Sequence, residues 1–360
     1  MHLTSLTLLN FKNYEHFEGN FSLKINCFVG QNGIGKTNLL DAIYYLAFCK
    51  SYFNSIDSQN IKHNESFFMI QGFFEKNLDK IELQCSVKRH QKKLFKRNQV
   101  EYDKLSDHIG FIPLIMISPS DNELIYGSSE LRRKFIDGII SQYDKVYLDN
   151  LVQYNHVLKQ RNALLKNFFE QNYFDNETLE IWTEQLIIYG EKIIKIRKLF
   201  LEEFIELFNK NYEFISSQKE HVSLNYLNSI NDDFKAELNN YLNRDRLSHN
   251  TTIGPHKDDL EFCISGYSLK KFASQGQQKS FLLALKLAQY EFIKHKKQVK
   301  PLLLLDDIYD KLDEARFNKL IDLVGNNYFG QVFITDAHPE RISKLMSSKN
   351  IESKLFNIES

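Results

Sequence analysis

The chain has 360 residues, of which 42% are hydrophobic, and its 46 basic residues balance 46 acidic ones. This length allows more than one domain with a core of its own. A net charge of zero excludes a globally basic or acidic protein, so a nucleic-acid partner would be recognised by local patches. No stretch approaches the roughly 18 apolar residues that a membrane helix needs.

The cysteines and the N-terminal sequence favour a soluble, cytoplasmic protein. Cys27, Cys49, Cys85 and Cys263 are too far apart for a C-x-x-C metal or redox motif. Two of them lie in apolar runs, which favours buried, reduced thiols. The sequence that follows Met1 lacks the basic start and the apolar run of a signal peptide.

The first part of the chain predicts mixed β and α structure. Residues 3–9 alternate in the manner of a strand. Residues 67–74 and 80–87 are typical of two strands that pair around a turn at residues 76–79. Residues 111–117 form a further apolar run.

A phosphate-binding loop is predicted within this part. Residues 25–29 are typical of a buried strand, and residues 38–48 carry apolar side chains at helical spacing. The segment between them fits G-x-x-x-x-G-K-[ST] at every fixed position. Its glycines allow successive N–H groups to face a polyphosphate at a helix N-terminus. The predicted nucleotide-binding residues are Gly30, Gln31, Asn32, Gly33, Ile34, Gly35, Lys36, Thr37 and Asn38.

Two side chains of this loop have predicted chemical roles. Lys36 can reach the β- and γ-phosphates, which makes it a candidate catalytic residue, and the hydroxyl of Thr37 can ligate Mg²⁺. The alternative is a glycine-rich turn that caps an ordinary strand–helix unit. The strand before the loop and the helix after it favour nucleotide binding.

The middle of the chain, from about residue 124 to about residue 247, has almost no glycine or proline and predicts helices. Between positions 179 and 200, apolar residues step alternately by three and four, as in a coiled-coil seam. With a break at residues 172–176, this pattern predicts an antiparallel helical hairpin. A plain helical bundle is the alternative.

After about residue 251 the α/β character returns, so the two flanks are predicted to form one sheet. Residues 260–264 and 331–335 are typical of strands. Four leucines of another predicted strand precede Asp306 and Asp307. Asp306 is predicted to hold Mg²⁺ through water, and Asp307 to orient and polarise the attacking water as a catalytic residue. A solvated exit from the strand is the alternative.

A second candidate anion site opens the predicted helix of residues 274–293. Ser274 is positioned as an N-cap and Gln277 completes a capping box, so a well-capped helix is one interpretation. Small and polar residues at a helix start also present N–H groups and a hydroxyl to phosphate. The order and spacing of Ser274, Gly276 and Gln277 resemble the signature motif L-S-G-G-Q of ABC-type ATPases.

These motifs predict an α/β fold, an ABC-type (P-loop) ATPase head with mixed sheets, interrupted by an inserted helical arm domain. The head is predicted to comprise residues 1–120 and 251–360, and the coiled-coil-like arm residues 121–250. The predicted cofactors are ATP and Mg²⁺.

Basic clusters are the residue-level indication of a DNA partner. Lys88, Arg89, Lys92 and Lys93 lie near a predicted hairpin, where they can neutralise phosphates without reading sequence. A second cluster occupies residues 294–300 and can equally be a favourable helix C-terminus. A solvated charged surface is the alternative for both.

Longer blocks of sequence resemble the RecF family of bacterial recombination-repair ATPases, which are related to the SMC proteins. The resemblance covers nearly the whole chain. The blocks are residues 11–14 (F-R-N-Y in the family), 33–43 (G-x-G-K-T-N-L-L-E-A-I), 119–137 (P-x-D, then R-R-x-F-L-D), 158–166 (L-K-Q-R-N-x-L-L-K) and 254–260 (G-P-H-R-D-D-L).

The resemblance implies a mechanism. Ser274, Gly276 and Gln277 would contact the γ-phosphate held by the Lys36 loop of a second copy, so that ATP joins a homodimer. Lys12 would approach the phosphates, although the family has arginine there. The dimer would clamp duplex DNA and single–double-strand junctions, with slow, weak, DNA-stimulated ATP hydrolysis. The implied partners are RecR, with RecO in the pathway, in RecA loading and replication-fork maintenance.

The residues leave some questions open. Residues 308–313 depart from the family's S-E-L-D-type segment, and either Asp336 or His338 is the candidate sensor of the γ-phosphate. The ATPase subunit of an ABC transporter is the main alternative, although it would normally place glutamate at position 307. An SMC-like tether would need a much longer coiled coil, and an ATP-gated nuclease would need a further metal cluster.

Overall fold

The structure, a computed structural model, describes residues 1–216, 220–230, 233–307, 309, 314–348 and 352–359. Contacts divide the chain into two compact units. Unit 1 consists of Met1–Asp121, Phe214–Ser216 and Lys279–Ser360, and unit 2 of Asn122–Glu213 and Ser217–Gln278.

The described strands are β1 (His2–Phe11), β2 (Tyr14–Asn20), β3 (Ile25–Val29), β4 (Phe67–Lys76), β5 (Asp79–Lys88), β6 (Leu94–Arg97), β7 (Val100–Glu101), β8 (Leu114–Ile117), β9 (Val222–Leu227), β10 (Asp259–Ile264), β11 (Tyr267–Ser268), β12 (Leu302–Leu305), β13 (Val332–Asp336) and β14 (Ser353–Asn357). The described helices are α1 (Lys36–Phe48), α2 (Glu123–Tyr126), α3 (Ser129–Tyr143), α4 (Lys145–Glu170), α5 (Asn176–Ser216), α6 (Phe234–Ser248), α7 (Leu269–Phe272), α8 (Gln275–Lys297), α9 (Glu314–Gly325) and α10 (Pro339–Ser348).

A parallel five-stranded sheet in unit 1 has the order β14-β3-β13-β12-β8. Every residue of β3, β8, β12 and β13 is buried, as expected of parallel strands covered on both faces. Because β3 and β8 precede the helical middle and the other strands follow it, the prediction that both flanks form one sheet is confirmed.

The second sheet of unit 1 is antiparallel, with the order β2-β1-β4-β5-β6-β7. The predicted turn between β4 and β5 is confirmed, with Asn77 and Leu78 at φ angles of 52° and 73°. Helix α1 lies close to this sheet: a Cβ at Gly72 of β4 would come within 2.5 Å of Leu46 Cδ1. The absence of a side chain at Gly72 therefore allows the helix of the predicted phosphate loop to pack on the sheet.

The predicted helical hairpin is present in unit 2 as α4 and α5. Arg161 of α4 donates to Thr183 of α5 across 3.1 Å, and earlier in α4 Tyr147 is bonded to Arg197, later in α5. This pairing makes the two helices antiparallel. The predicted break is also confirmed, since α4 ends at Glu170 and α5 begins at Asn176.

The middle of the chain is helical as predicted, but it also contains a strand that was not predicted. Strand β9 pairs antiparallel with β10, and β11 completes a three-stranded sheet in unit 2. Strand β9 has one buried residue, Leu224, among partly and fully exposed ones. Such a short, weakly patterned edge strand is identified only by its pairing partner. The predicted strand at residues 260–264 exists, but it belongs to this sheet and not to the parallel one.

Buried ion pairs hold unit 2 together, and each has one member in a sequence block that resembles the family. Arg161, 1% exposed, donates to Asp245, 0% exposed, at 2.7 Å and to Thr251 at 2.6 Å. Arg197 donates to Asp137 at 2.9 Å and to Asp258 at 3.3 Å. Removal of one member of such a pair leaves an uncompensated buried charge.

Two buried histidines act as neutral hydrogen-bond bridges. His108 Nε2 lies 2.7 Å from the carbonyl of Leu46, and its Nδ1 lies 3.0 Å from the hydroxyl of Tyr102. Since a carbonyl only accepts, Nε2 carries the proton and Nδ1 accepts from Tyr102. Burial lowers the pKa of His108 to about 4, and burial likewise lowers the pKa of His256 in unit 2 to about 4.

We predict that acid destabilises unit 1 through His108. An unfolded histidine binds its proton below about pH 6.5, whereas the folded one does so only below about 4, so stability falls as pH falls through this window. Between pH 7 and pH 5 the expected loss is about 2 kcal/mol for this residue. Urea unfolding of His108→Gln should show a correspondingly shallower pH dependence, whereas the exposed-site control His63→Gln should match the wild type. Equal slopes for His108→Gln and the wild type would contradict the prediction.

Candidate nucleotide-binding site

The predicted phosphate loop joins the end of β3 to the start of α1. Its glycines adopt the left-handed region, with φ angles of 154° at Gly30, 83° at Gly33 and 114° at Gly35. Gln31, Asn32 and Gly33 are exposed. The loop therefore has the turn conformation that side chains disfavour, and its apex faces solvent.

The first glycine is enclosed by backbone from the end of the chain. A Cβ at Gly30 would lie 2.6 Å from the carbonyl oxygen of Ile358. Ile358 N–H donates to Val29 O at 2.8 Å, and Gly30 N–H donates to Asp336 O at 3.4 Å. Only glycine fits at this point, because the neighbouring atoms are backbone and cannot rotate away.

Asn13 braces the second half of the loop. Its amide nitrogen donates to the carbonyl of Ile34 at 2.8 Å, and its amide oxygen accepts from Asn38 Nδ2 at 2.7 Å. A Cβ at Gly35 would lie 2.4 Å from Asn13 Nδ2. The sequence did not indicate this role directly. The position of Asn13 in the family-like block of residues 11–14 was the one feature that could have suggested it.

The ammonium of Lys36 lies inside the loop. It donates to the carbonyls of Gly30 at 2.7 Å and Gln31 at 2.9 Å, and the residue is 4% exposed. The positive charge is thus enclosed by the loop whose N–H groups are predicted to bind phosphate.

Asp306 joins the loop helix to the sheet. One carboxylate oxygen, Oδ1, accepts from the hydroxyl of Thr37 at 2.7 Å and from the hydroxyl of Thr335 at 2.9 Å. Burial raises the pKa of Asp306 above its ordinary value, and the two hydroxyl bonds oppose this effect. Asp307 follows with a φ of 43°, and its N–H donates to the same Thr335 hydroxyl at 2.9 Å.

Lys12 lies beside α1 and is ion-paired. Its ammonium is 2.6 Å from Oδ2 of Asp41, which is 0% exposed and also accepts from Ser51 and from Tyr52 N–H. The ammonium also lies 5.4 Å from the ring centre of Phe53. Its contact with phosphate stays a prediction.

The two candidate γ-phosphate sensors at the end of β13 differ in their surroundings. The carboxylate oxygens of Asp336 lie 2.6 and 2.7 Å from Nη2 of Arg341, and one also accepts from His338 N–H at 2.7 Å. The Arg341 guanidinium lies 3.6 Å from the ring centre of Tyr309. Asp336 is 2% exposed, whereas His338 is exposed.

The signature segment lies in unit 2, and its predicted capping box is confirmed. Ser274 N–H donates to Gln277 Oε1 at 2.7 Å, and Gln277 N–H donates to Ser274 Oγ at 3.3 Å. Gly276 lies between them in the first turn of α8. Gln277 Nε2 also donates to Glu220 at 2.8 Å, a contact that the sequence did not indicate.

The basic residues near the β5–β6 turn differ in their surroundings. Lys88, Arg89 and Lys92 are exposed. The ammonium of Lys93 instead donates to the carbonyl of Cys49 at 2.6 Å and to Asp57 at 2.8 Å, and its side chain is 14% exposed. Lys93 therefore forms structural contacts beside α1, whereas the other three side chains face solvent.

A glycine loop between a buried parallel strand and a helix, with an acidic strand end beside it, defines the class of P-loop ATPases. The family described as RecF/RecN/SMC N terminal domain matches residues 2–354 of this chain. Within the described residues, no helix is long and apolar enough to cross a membrane.

Curated relatives match over nearly full length. The DNA replication and repair protein RecF of Flavobacterium johnsoniae is 53% identical over 359 residues, which cover 99% of this chain and 100% of that protein. RecF of Bacteroides thetaiotaomicron is 48% identical, and the alignment covers 100% of this chain and 97% of that protein. The chain belongs to the RecF family of DNA replication and repair proteins.

Solved structures of other proteins are similar to this chain. The recombination mediator protein RecF-ATPrS in the RecFOR pathway has a TM-score of 0.88 at 30% identity, covering 99% of this chain and 96% of that one. An Smc head domain from Pyrococcus furiosus has a TM-score of 0.55 at 18% identity, covering 99% of this chain and 94% of that one, which shows a shared fold alone.

We predict that Asn13→Ala weakens nucleotide binding without unfolding the protein. The substitution removes two hydrogen bonds that hold the loop, each worth about 1 kcal/mol, so affinity for ATP should fall by up to roughly thirtyfold. Equilibrium titration with a fluorescent ATP analogue measures this, with the exposed-site variant Asn20→Ala as control. Wild-type affinity in Asn13→Ala would show that the brace is dispensable.

Proposed function

We propose that this protein binds ATP with Mg²⁺ and hydrolyses it slowly to control the pairing of two copies on DNA. The observation that carries the proposal is the junction of the Thr37 hydroxyl, the Asp306 carboxylate and the Thr335 hydroxyl beside a glycine loop that encloses Lys36. The solved relatives described as RecF-ATP and RecF-ATPrS support the choice of nucleotide.

The donor set suits Mg²⁺. A hydroxyl and a carboxylate that already lie 2.7 Å apart are the hard oxygen ligands this ion prefers. When bound, Mg²⁺ would neutralise phosphate charge, with Thr37 as ligand and Asp306 holding it through water. The raised pKa of Asp306 supports a cationic partner at this carboxylate, because its charge is costly to bury.

Asp307 is the proposed group that orients the attacking water. It follows the buried strand directly, and its backbone is fixed by the bond to Thr335. Lys36 would stabilise the charge that develops on the transferred phosphoryl group. For the γ-phosphate sensor we favour His338, since the carboxylate of Asp336 is engaged by Arg341.

The signature segment is proposed to act on a second copy. Ser274, Gly276 and Gln277 would contact the γ-phosphate of the nucleotide held by that copy, because a helix start offers N–H groups and a partial positive charge. ATP would then favour the dimer by mass action, and loss of the γ-phosphate would release it. Lys12 is proposed to approach the phosphates after leaving Asp41.

We propose a head of residues 1–120 and 251–360 and a helical arm of residues 121–250. The first segment of unit 1 ends at Asp121, which supports the first boundary. The last segment of unit 1 begins at Lys279, which is later than the proposed second boundary at residue 251.

The proposed nucleic-acid partner is duplex DNA, including single–double-strand junctions. The exposed side chains of Lys88, Arg89 and Lys92 support a sequence-independent contact with phosphates. The description of a relative as a recombination mediator in the RecFOR pathway supports RecR and RecO as partners in RecA loading. A transporter subunit is the alternative, and stimulation of ATP hydrolysis by lipid vesicles instead of duplex DNA would favour it.

We predict opposite phenotypes for two substitutions in the nucleotide site. Lys36→Ala should not dimerise with ATP, because the loop loses its phosphate-facing cation. Asp307→Asn should bind ATP and persist as a dimer, with hydrolysis reduced on the order of a hundredfold. Sedimentation velocity with ATP and with ADP, together with phosphate release, distinguishes them. Wild-type dimerisation by Lys36→Ala would refute the assignment of the site.

We also predict that reversal of charge at Lys88, Arg89 and Lys92 weakens DNA binding. The triple variant to glutamate should lower affinity for a gapped duplex and reduce the slope of log affinity against log salt by about three. Fluorescence anisotropy from about 50 to 200 mM salt measures the slope. Reversal of Lys271, an exposed lysine of unit 2, serves as control. An unchanged slope in the triple variant would place the DNA contact elsewhere.

A further inference from the structure

The side chain of Gln277 in the signature segment is held at both ends within unit 2. Its amide oxygen accepts from Ser274 N–H at 2.7 Å, and its amide nitrogen donates to Glu220 Oε1 at 2.8 Å. The other carboxylate oxygen of Glu220 accepts from the hydroxyl of Tyr212 at 2.8 Å. Tyr212 is 1% exposed, so Glu220 is anchored to a buried side chain while it holds the signature amide.

A carboxylate is an unexpected neighbour for a phosphate-binding segment. An ionised carboxylate and a phosphate oxygen are both acceptors, and both carry negative charge. They therefore compete for the same N–H donors and repel each other at short range. The Gln277 amide cannot give the donor now taken by Glu220 to a phosphate unless that hydrogen bond is exchanged.

The capping box limits which donors of this turn can change partners. Ser274 N–H and Gln277 N–H are both bonded within the first turn of α8. The side-chain amide nitrogen of Gln277 can therefore exchange its partner without opening the capping box.

We propose that Glu220 is a positioning residue that holds Gln277 and limits how strongly the γ-phosphate of a second copy's nucleotide favours the dimer. Without nucleotide, the Glu220 carboxylate is bonded to one N–H of the Gln277 amide. The γ-phosphate of the nucleotide on that copy takes over the amide donor, and its binding has to outweigh the repulsion from Glu220. This inference rests on the proposed function, since it assigns regulation to the same signature segment.

The test is Glu220→Gln, which keeps the size of the side chain and an acceptor for Gln277 but removes the charge. Sedimentation velocity with Mg²⁺ and adenylyl imidodiphosphate should give a dimer dissociation constant about three- to tenfold lower than that of the wild type. With ADP, which lacks the γ-phosphate, both proteins should remain monomeric. Affinity of the monomer for nucleotide should be unchanged, because the phosphate loop is not altered.

Two further variants separate the charge of Glu220 from its hydrogen bond and from the general charge of this surface. Glu213→Gln removes the same charge from an exposed position next to Tyr212 and should match the wild type. Glu220→Ala removes both charge and acceptor and should also tighten the dimer, whereas a merely structural role for Glu220 would weaken it. Thermal unfolding verifies that each variant is folded.

The outcomes separate this inference from the function on which it rests. A Glu220→Gln dimer that is no tighter than the wild type, in a protein that dimerises only with a γ-phosphate, would overturn the role of Glu220 alone. A Glu220→Gln dimer that tightens equally with ADP would also overturn it. If the wild-type protein dimerised equally with and without nucleotide, both proposals would be overturned.

Discussion

The candidate site depends on the buried carboxylate of Asp306. Hydroxyls of Thr37 on α1 and Thr335 on β13 donate to one of its oxygens, and its backbone N–H donates to Ile117 on β8. A buried carboxylate costs free energy unless its lone pairs are satisfied. The helix that follows the phosphate loop and two strands of the parallel sheet are therefore held around a single charged group. This constraint places the loop at the carboxyl edge of the sheet, where open α/β sheets bind their ligands.

The elements that carry the site were predictable because their signals are local. The glycine loop stands between an apolar strand and an apolar helix, and the run of leucines before Asp306 can only be a buried segment. Strand β9 was missed because its pattern is weak and its partner β10 lies far along the chain. The strand at residues 260–264 was recognised but assigned to the wrong sheet, since a strand's own sequence does not identify its neighbour.

The bracing side chains of the site were not predictable, because each depends on a partner that is distant in sequence. Lys93 belongs to a basic run in the sequence, but its ammonium is bonded beside α1 to Asp57. Asn13 is one polar residue in a short block, and its contact with the loop follows from the packing of β1 and α1. Arg161 and Arg197 are both placed by the structure in buried ion pairs of unit 2.

The position of β3 in the parallel sheet has a consequence for biosynthesis. This strand is paired on one side with β13 and on the other with β14, so both neighbours emerge from the ribosome only after the whole helical middle of the chain. At roughly 5–20 residues per second, the nascent chain carries an unpaired apolar strand for tens of seconds. Non-local parallel pairing is also slow to form. The nascent polypeptide is accordingly expected to engage chaperones until β13 and β14 have been synthesised.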